Sequence, residues 1–239
     1  NAFSKNKKKS GDDDMSGRLY GVGVGPGDPR LMTLLAIETI ESCPVIAVPG
    51  ENRDHAVSYR IAEGAVAGLE KKKCLTLSTP MTKDPEILAQ SYEMAADRII
   101  EELKEGQDVA YLTLGDPTIY STYIYIHRLV KAQGYSVEII NGIPSFCAVA
   151  ARMGESLADR SEQLHIIPSS YDIEKALDYP GSKVFMKAGS KLSRVKQTLQ
   201  EKDMTAVMVE NCGFSDEHIY DVITAMPEKA SYYTTVLVK

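Results

Sequence analysis

Apolar positions along this chain recur with two periods, and the alternation between them predicts the elements. Residues 18–25 (RLYGVGVG) form an extended run that ends among glycines and predict a strand. Residues 30–42 carry Leu31, Leu34, Leu35 and Ile37 at helical spacing and predict a helix. Residues 44–50 (PVIAVPG) read as a buried strand, 54–68 as an Ala-rich helix, 73–78 as a short strand, and 84–105 as a long amphipathic helix ended by Gly106. The run 108–116 (DVAYLTLGD) is nearly continuous in apolar residues, as expected of a parallel strand covered on both faces. A helix over 118–133, ended by Gly134, and a strand over 136–143 follow. Then come a helix from 144 to 153, strands at 164–170 and 183–189, a helix at 190–202, and strands at 206–213 and 231–239.

Five strands alternating with helices make one parallel α/β domain over residues 16–143. Residues 144–239 make a second domain, with a hinge near Gly142–Ser145, and no internal repeat is visible. The first fifteen residues are polar, with a basic block followed by an acidic one, and bury no apolar surface. They are expected to be a disordered tail or an appended leader, with Met15 looking like the natural start.

With 239 residues, 44% of them hydrophobic, the chain has ample material for a core. A net charge of −6 argues against general nucleic-acid binding, which needs clustered Lys and Arg. No run of 18 apolar residues predicts a membrane span, and no charged-then-apolar leader is seen, so a cytoplasmic protein is expected. Cys43, Cys74, Cys147 and Cys212 form no CxxC pair, which speaks against a zinc site or a disulfide framework and for free thiols.

The first strand runs into GVGVGPGDP (21–29). Glycines at this density let the backbone turn sharply and approach a ligand. A dinucleotide fingerprint needs a third glycine that falls on Pro26 when counted from Gly21, and on Asp28 when counted from Gly23. No phosphate-binding GxxxxGK[ST] loop is present either. A second corner, LGDPTIYST (114–122), closes the strand 108–116. Gly115 permits close approach, and Asp116 lies where ligands of open α/β sheets sit. Asp116 reads equally well as the N-cap of helix 118–133.

These two corners, followed by NGIPSF (141–146), FMKAG (185–189) and VENC (209–212), resemble the tetrapyrrole (corrin/porphyrin) methylase family in order and spacing over nearly all of residues 16–239. The continuation GDPTIYST…GIPSF is most similar to the branch that methylates carbon 20 of precorrin-2 or its cobalt form on the route to cobalamin. The resemblance implies an α/β fold of two domains, an N-terminal one with a parallel sheet and a C-terminal one with a mixed sheet. It also implies S-adenosyl-L-methionine in the cleft between them and a homodimer. Carried over by motif, Pro26 lies in the first loop, Gly115, Asp116 and Ile119 line the cofactor pocket, Pro144 and Ser145 offer backbone contacts, and Met186 meets the adenine side. Gly25 and Gly115 should then converge.

The resemblance further implies in-line transfer of a methyl group to a ring carbon that the flanking pyrrole-type nitrogens make nucleophilic, so positioning is the main demand on the protein. No catalytic residue is assigned. His55, His127, His165 and His218 stand in separate segments without an evident partner, and no metal site is expected. Tyr120 and Tyr123 follow the GDP corner as candidates to touch substrate, with packing as the alternative. The substrate is rich in carboxylates, so a local basic rim is expected, with Arg30, Arg53, Lys83, Arg128 and Lys187 as candidates. Three other readings remain open: a methylase of the same fold acting on another tetrapyrrole carbon or a protein side chain, a methyltransferase of the commoner Rossmann-like class, and a non-catalytic tetrapyrrole carrier.

Overall fold

The computed structural model describes residues 16–80, 82–168 and 170–239, so the proposed tail lies outside the described residues. The chain forms two compact units. The first comprises residues up to Val22, Leu34–Thr113 and Ser121–Asn141, and the second comprises Gly23–Thr33, Leu114–Tyr120 and Gly142–Lys239.

In chain order the first sheet and its helices are β1 (Leu19–Gly23), α1 (Leu34–Ser42), β2 (Val45–Pro49), α2 (Val57–Glu63), β3 (Lys73–Leu77), α3 (Pro85–Lys104), β4 (Val109–Thr113), α4 (Tyr123–Ala132) and β5 (Val137–Ile140). The five strands form the parallel sheet that the alternation predicts, in the order β3-β2-β4-β1-β5. Every residue of β4 is buried, as a strand covered on both faces requires. The core joins Leu19, Val45, Val109 and Tyr111 of the strands to Ala95, Ile99 and Leu103 of α3 and to Tyr123, Ile126 and Val130 of α4. Each such large side chain contributes about 1.5–3 kcal/mol on burial. Helix α3 starts where its sequence says it should. Pro85 occupies the first turn, and the Asp84 side chain accepts hydrogen bonds from Glu86 N at 2.9 Å and Ile87 N at 3.3 Å.

The second unit continues with α5 (Ser145–Met153), β6 (Leu164–Pro168), α6 (Ile173–Leu177), β7 (Ser182–Met186), α7 (Leu192–Glu201), β8 (Ala206–Glu210), β9 (His218–Tyr220) and β10 (Thr234–Val238). Its sheet is mixed, in the order β6-β7-β10-β8-β9, with only β6–β7 parallel. One face packs on α6 and α7 through Ile173, Leu177, Phe185, Leu192, Val195 and Val236. The other packs on α5 through Phe146, Val149, Val184, Met186 and Leu237.

Several elements depart from the expected boundaries. The helix expected over 30–42 is split into a 3-10 turn, Pro29–Leu31, and α1, with Met32 extended between them. Its buried face is Ala36, Thr39 and Ile40, while Leu34 and Leu35 are 77% and 55% exposed, so the leucine stripe does not mark the core side. The helix expected over 118–133 begins only at Tyr123, because Tyr120 takes a left-handed φ of 47° that no α-helix accommodates. Helix α2 stops at Glu63, before Gly64 and the left-handed Gly68. The short α6 and β9 were not expected.

Tyr123 is a correction to the candidate substrate contacts. It is fully buried in the first core, its hydroxyl lies 3.0 Å from His127 Nδ1, and it donates to Glu138 O at 3.3 Å. The ring occupies the space beside Gly21, where an added Cβ would stand 2.0 Å from it. The neighbouring Tyr111 is equally buried, but its hydroxyl has no hydrogen-bond partner among the described residues. Two Tyr→Phe substitutions should therefore act in opposite directions in urea unfolding. Tyr123→Phe should lower stability by about 1 kcal/mol, and Tyr111→Phe should leave it unchanged or raise it by up to about 1 kcal/mol. Asp84→Ala should cost about 1 kcal/mol through loss of the α3 cap, read in the same assay.

Candidate functional site

Three corners follow β1, β4 and β5, neighbouring strands of the first sheet, and all three belong to the second unit. Gly25 and Gly115 converge as the resemblance implies. Gly25 N donates to Gly115 O at 3.2 Å, and Gly115 N donates to Gly25 O at 2.8 Å. Both are left-handed, with φ of 80° and 70°, which only glycine adopts without strain. The third corner closes on the other two. A Cβ on Gly142 would stand 2.1 Å from Gly115 O and 2.8 Å from Gly23 O, and one on Gly23 would stand 2.6 Å from Gly115 O and from Gly142 N. These glycines are needed because three backbones touch there.

Asp116 clasps the same three-way junction. Its buried carboxylate accepts from Thr118 N at 2.8 Å and Thr118 Oγ1 at 2.5 Å through one oxygen, and from Gly142 N at 3.0 Å through the other. It caps a turn rather than helix α4, whose N-terminal neighbour is Thr122. Charge-assisted bonds of this kind are about twice as strong as neutral ones. Ile119 lies half-buried against the α5 core cluster.

The first loop is seated from its other side by the turn after β8. Pro26 and Gly27 are buried, and a Cβ on Gly27 would stand 2.4 Å from Cys212 O. Gly213, at φ 84°, approaches the Asp28 amide so closely that its own Cβ would be 2.7 Å away. The turn is held by Glu217, which accepts from Gly213 N at 2.7 Å and pairs with Arg152 at 3.0 Å. Sequence reasoning gave VENC only as a weak motif, and Gly213, Glu217 and Arg152 carried no signal, because their role appears only once the loop is seated. Asp28 caps the 3-10 turn through Arg30 N at 2.9 Å, and the Arg30 guanidinium holds its carboxyl below the usual carboxylate range.

The remaining predicted positions fall around this junction or in the first unit. Pro144 precedes α5, and Ser145 opens it with its hydroxyl 3.5 Å from that of Thr235 on β10. Met186 ends β7 in register with Thr235, buried against Phe146 and Val149. Tyr120 donates to Ile166 O at 2.8 Å, and its own carbonyl accepts from Lys187 Nζ at 3.2 Å. Lys187, at φ 58°, and Asn211, at φ 52°, join Tyr120 as left-handed non-glycine residues of the second unit, as do Arg160 and Asp203. Each such residue costs on the order of 1 kcal/mol. Arg53, Lys83 and Arg128 belong to the first unit, where Arg53 pairs with Asp54 at 3.0 Å and lies 5.1 Å from the Tyr59 ring centroid.

Electrostatically the junction offers hydrogen bonds and shape rather than a nucleophile. Burial, reinforced by Glu217, pushes the Cys212 thiol up to about 11, so it is neutral near pH 7. Burial lowers His127, which packs on Tyr123 in the first core. Among the described residues no three His, Cys, Asp or Glu side chains cluster to hold a metal, and no helix is long and apolar enough to cross a membrane.

Comparison with known proteins agrees with these motifs. The sequence model of the family described as Tetrapyrrole (Corrin/Porphyrin) Methylases matches residues 18–226. A probable cobalt-precorrin-2 C(20)-methyltransferase of Methanocaldococcus jannaschii is 36% identical over 84% of this chain and 86% of its own length. The cobalt-precorrin-2 C(20)-methyltransferase of Salmonella typhimurium is 27% identical over 94% of this chain and 97% of its own. Among solved structures, a uroporphyrin-III C-methyltransferase of Thermus thermophilus complexed with S-adenosyl homocysteine has a TM-score of 0.66 at 19% identity. It covers 92% of this chain and 97% of its own, a likeness of fold. The two glycine corners that pair through Gly25 and Gly115 thus stand in a matched sequence running nearly the whole length of the described chain, and the chain belongs to the tetrapyrrole (corrin/porphyrin) methylase family.

Proposed function

We propose that this chain transfers a methyl group from S-adenosylmethionine to carbon 20 of precorrin-2 or of its cobalt-bearing form, a step in cobalamin assembly. The observation that carries this reading is the three-way glycine junction clasped by Asp116. It stands at the motifs shared with a family of tetrapyrrole methylases, in a chain 36% identical to a probable C20 enzyme. We further propose a cytoplasmic homodimer.

The residues at the junction fit a methyl donor of this kind. At Gly115 the atoms nearest to an added Cβ are Ile143 O and Pro144 Cα, both 3.9 Å away, so the GDP corner borders a space that a side chain would fill. The glycine corners present main chain there, suited to a ligand that offers an amine, a carboxylate and ribose hydroxyls to backbone groups. When bound, S-adenosylmethionine supplies an electrophilic methyl group on a sulfonium. The protein supplies position. Pro26, Gly115, Ile119 and the Pro144–Ser145 backbone form the proposed walls, with Met186 beside them. Asp116 keeps the GDP and NGIP corners in register through Thr118 and Gly142. Holding a nucleophilic ring carbon aligned with the methyl group contributes about 7–11 kcal/mol in favourable cases. No protein nucleophile is needed, in keeping with the neutral Cys212 thiol.

Incubation with 13C-methyl-labelled S-adenosylmethionine and either precorrin-2 or its cobalt form, read by NMR, should place one labelled methyl at carbon 20. Label at another ring carbon, or no transfer to either substrate, contradicts the proposal. Asp116→Asn should raise the Kd for S-adenosylmethionine about tenfold or more in calorimetry. An amide cannot accept from both Thr118 and Gly142 with a carboxylate's charge, and a factor of ten corresponds to about 1.4 kcal/mol. Gly115→Val should weaken binding further, because it both strains the left-handed backbone and fills the space beside it.

A further inference from the structure

We propose that Lys187, held between the Tyr120 carbonyl and the Tyr232 ring, forms a subsite that takes one carboxylate of the tetrapyrrole periphery. The inference rests on the methylase reading above and names how that site recognises its acidic substrate.

The first observation is charge. The other cations at the junction are spoken for: Arg30 by Asp28 at 2.6 Å and Arg152 by Glu217 at 3.0 Å. Lys187 enters none of the ion pairs among the described residues. Its ammonium instead meets two neutral groups, Tyr120 O at 3.2 Å and the Tyr232 ring, whose centroid is 5.1 Å away. A carbonyl and a ring face orient an ammonium without neutralising it. An ammonium so held retains donors and full charge for an anion.

The second observation is strain. Lys187 sits at φ 58° and Tyr120 at φ 47°, a backbone that glycine adopts freely and side chains resist. Strain of this kind collects at ligand clamps, where the side chain's work requires the backbone's angle.

The third is placement. Tyr120 closes the GDP corner, Lys187 follows Met186 at the end of β7, and Ala188 N donates to Thr234 O, which ties this turn to the start of β10 beside Tyr232. Tyr120 and Tyr232 are 45% and 47% exposed, so part of each side chain is open to solvent around the Lys187 turn. A broad conjugated tetrapyrrole edged with carboxylates matches that combination: its face packs on the tyrosines, and a peripheral carboxylate reaches the ammonium.

The test uses the full chain, with uroporphyrin, a fluorescent octacarboxylate, as the binding probe and precorrin-2 turnover as the second readout. Lys187→Gly removes the charge and relaxes the backbone, so it separates recognition from folding. Tm should hold or rise, while the uroporphyrin Kd and the KM for the tetrapyrrole should both rise about tenfold, with kcat within about threefold. The dependence of Kd on salt should become shallower. Lys187→Arg should keep uroporphyrin affinity within about threefold. Uroporphyrin binding and KM unchanged in Lys187→Gly overturn the subsite, and so does an equal loss in Lys187→Arg. A wild-type chain that transfers no methyl group overturns the methylase reading instead.

Discussion

Two backbone hydrogen bonds between Gly25 and Gly115, and the Asp116 carboxylate that reaches from the same corner to Gly142, join chain segments that leave three adjacent strands. The contact is possible only because Gly23 and Gly142 lack side chains where the backbones meet and Gly25 and Gly115 take left-handed φ. Everything proposed about the site depends on this closeness. It allows main chain to form the walls, it aligns the GDP and NGIP corners, and it sets the first loop where Gly213 can pack on it. Asp116 contributes by charge at a position where a neutral side chain would leave the junction less firmly held.

The same arrangement explains why the site lacks the furniture of nucleophilic catalysis. Its thiol is neutral, its carboxylates are engaged in holding loops, and Tyr120 and Arg30 are exposed beside it. A reaction in which the substrate brings the nucleophile and the donor brings the electrophile asks the protein for alignment and for recognition of a large anion. The rigid junction serves the first demand. The strained pair Tyr120 and Lys187 serves the second in our reading.

Much of the fold was legible because the pattern is unambiguous where burial is complete. The fully buried β4 carries no charged residue to confuse its reading, and Asp84-Pro85 marks the start of α3 before any packing is known. Legibility failed where local rules compete with tertiary packing. The leucines at 34 and 35 look like a core stripe, yet Ala36, Thr39 and Ile40 are buried instead, and periodicity alone cannot say which face turns inward. Tyr123 stood beside a functional motif and proved to fill the space left by Gly21. In the site, the glycine corners were visible as motifs, and the resemblance they carry implied their convergence. The seat behind them, Gly213 with Glu217 and Arg152, was not, because an ion pair between α5 and the turn after β8 leaves no spacing signature.

Amide hydrogen exchange of the full chain with and without S-adenosylmethionine tests the central claim most directly. The account predicts new protection confined to the segments around Gly25–Gly27, Gly115–Ile119, Gly142–Ser145 and Met186–Ala188. Protection elsewhere with these four unchanged, or none at saturating donor, would contradict it.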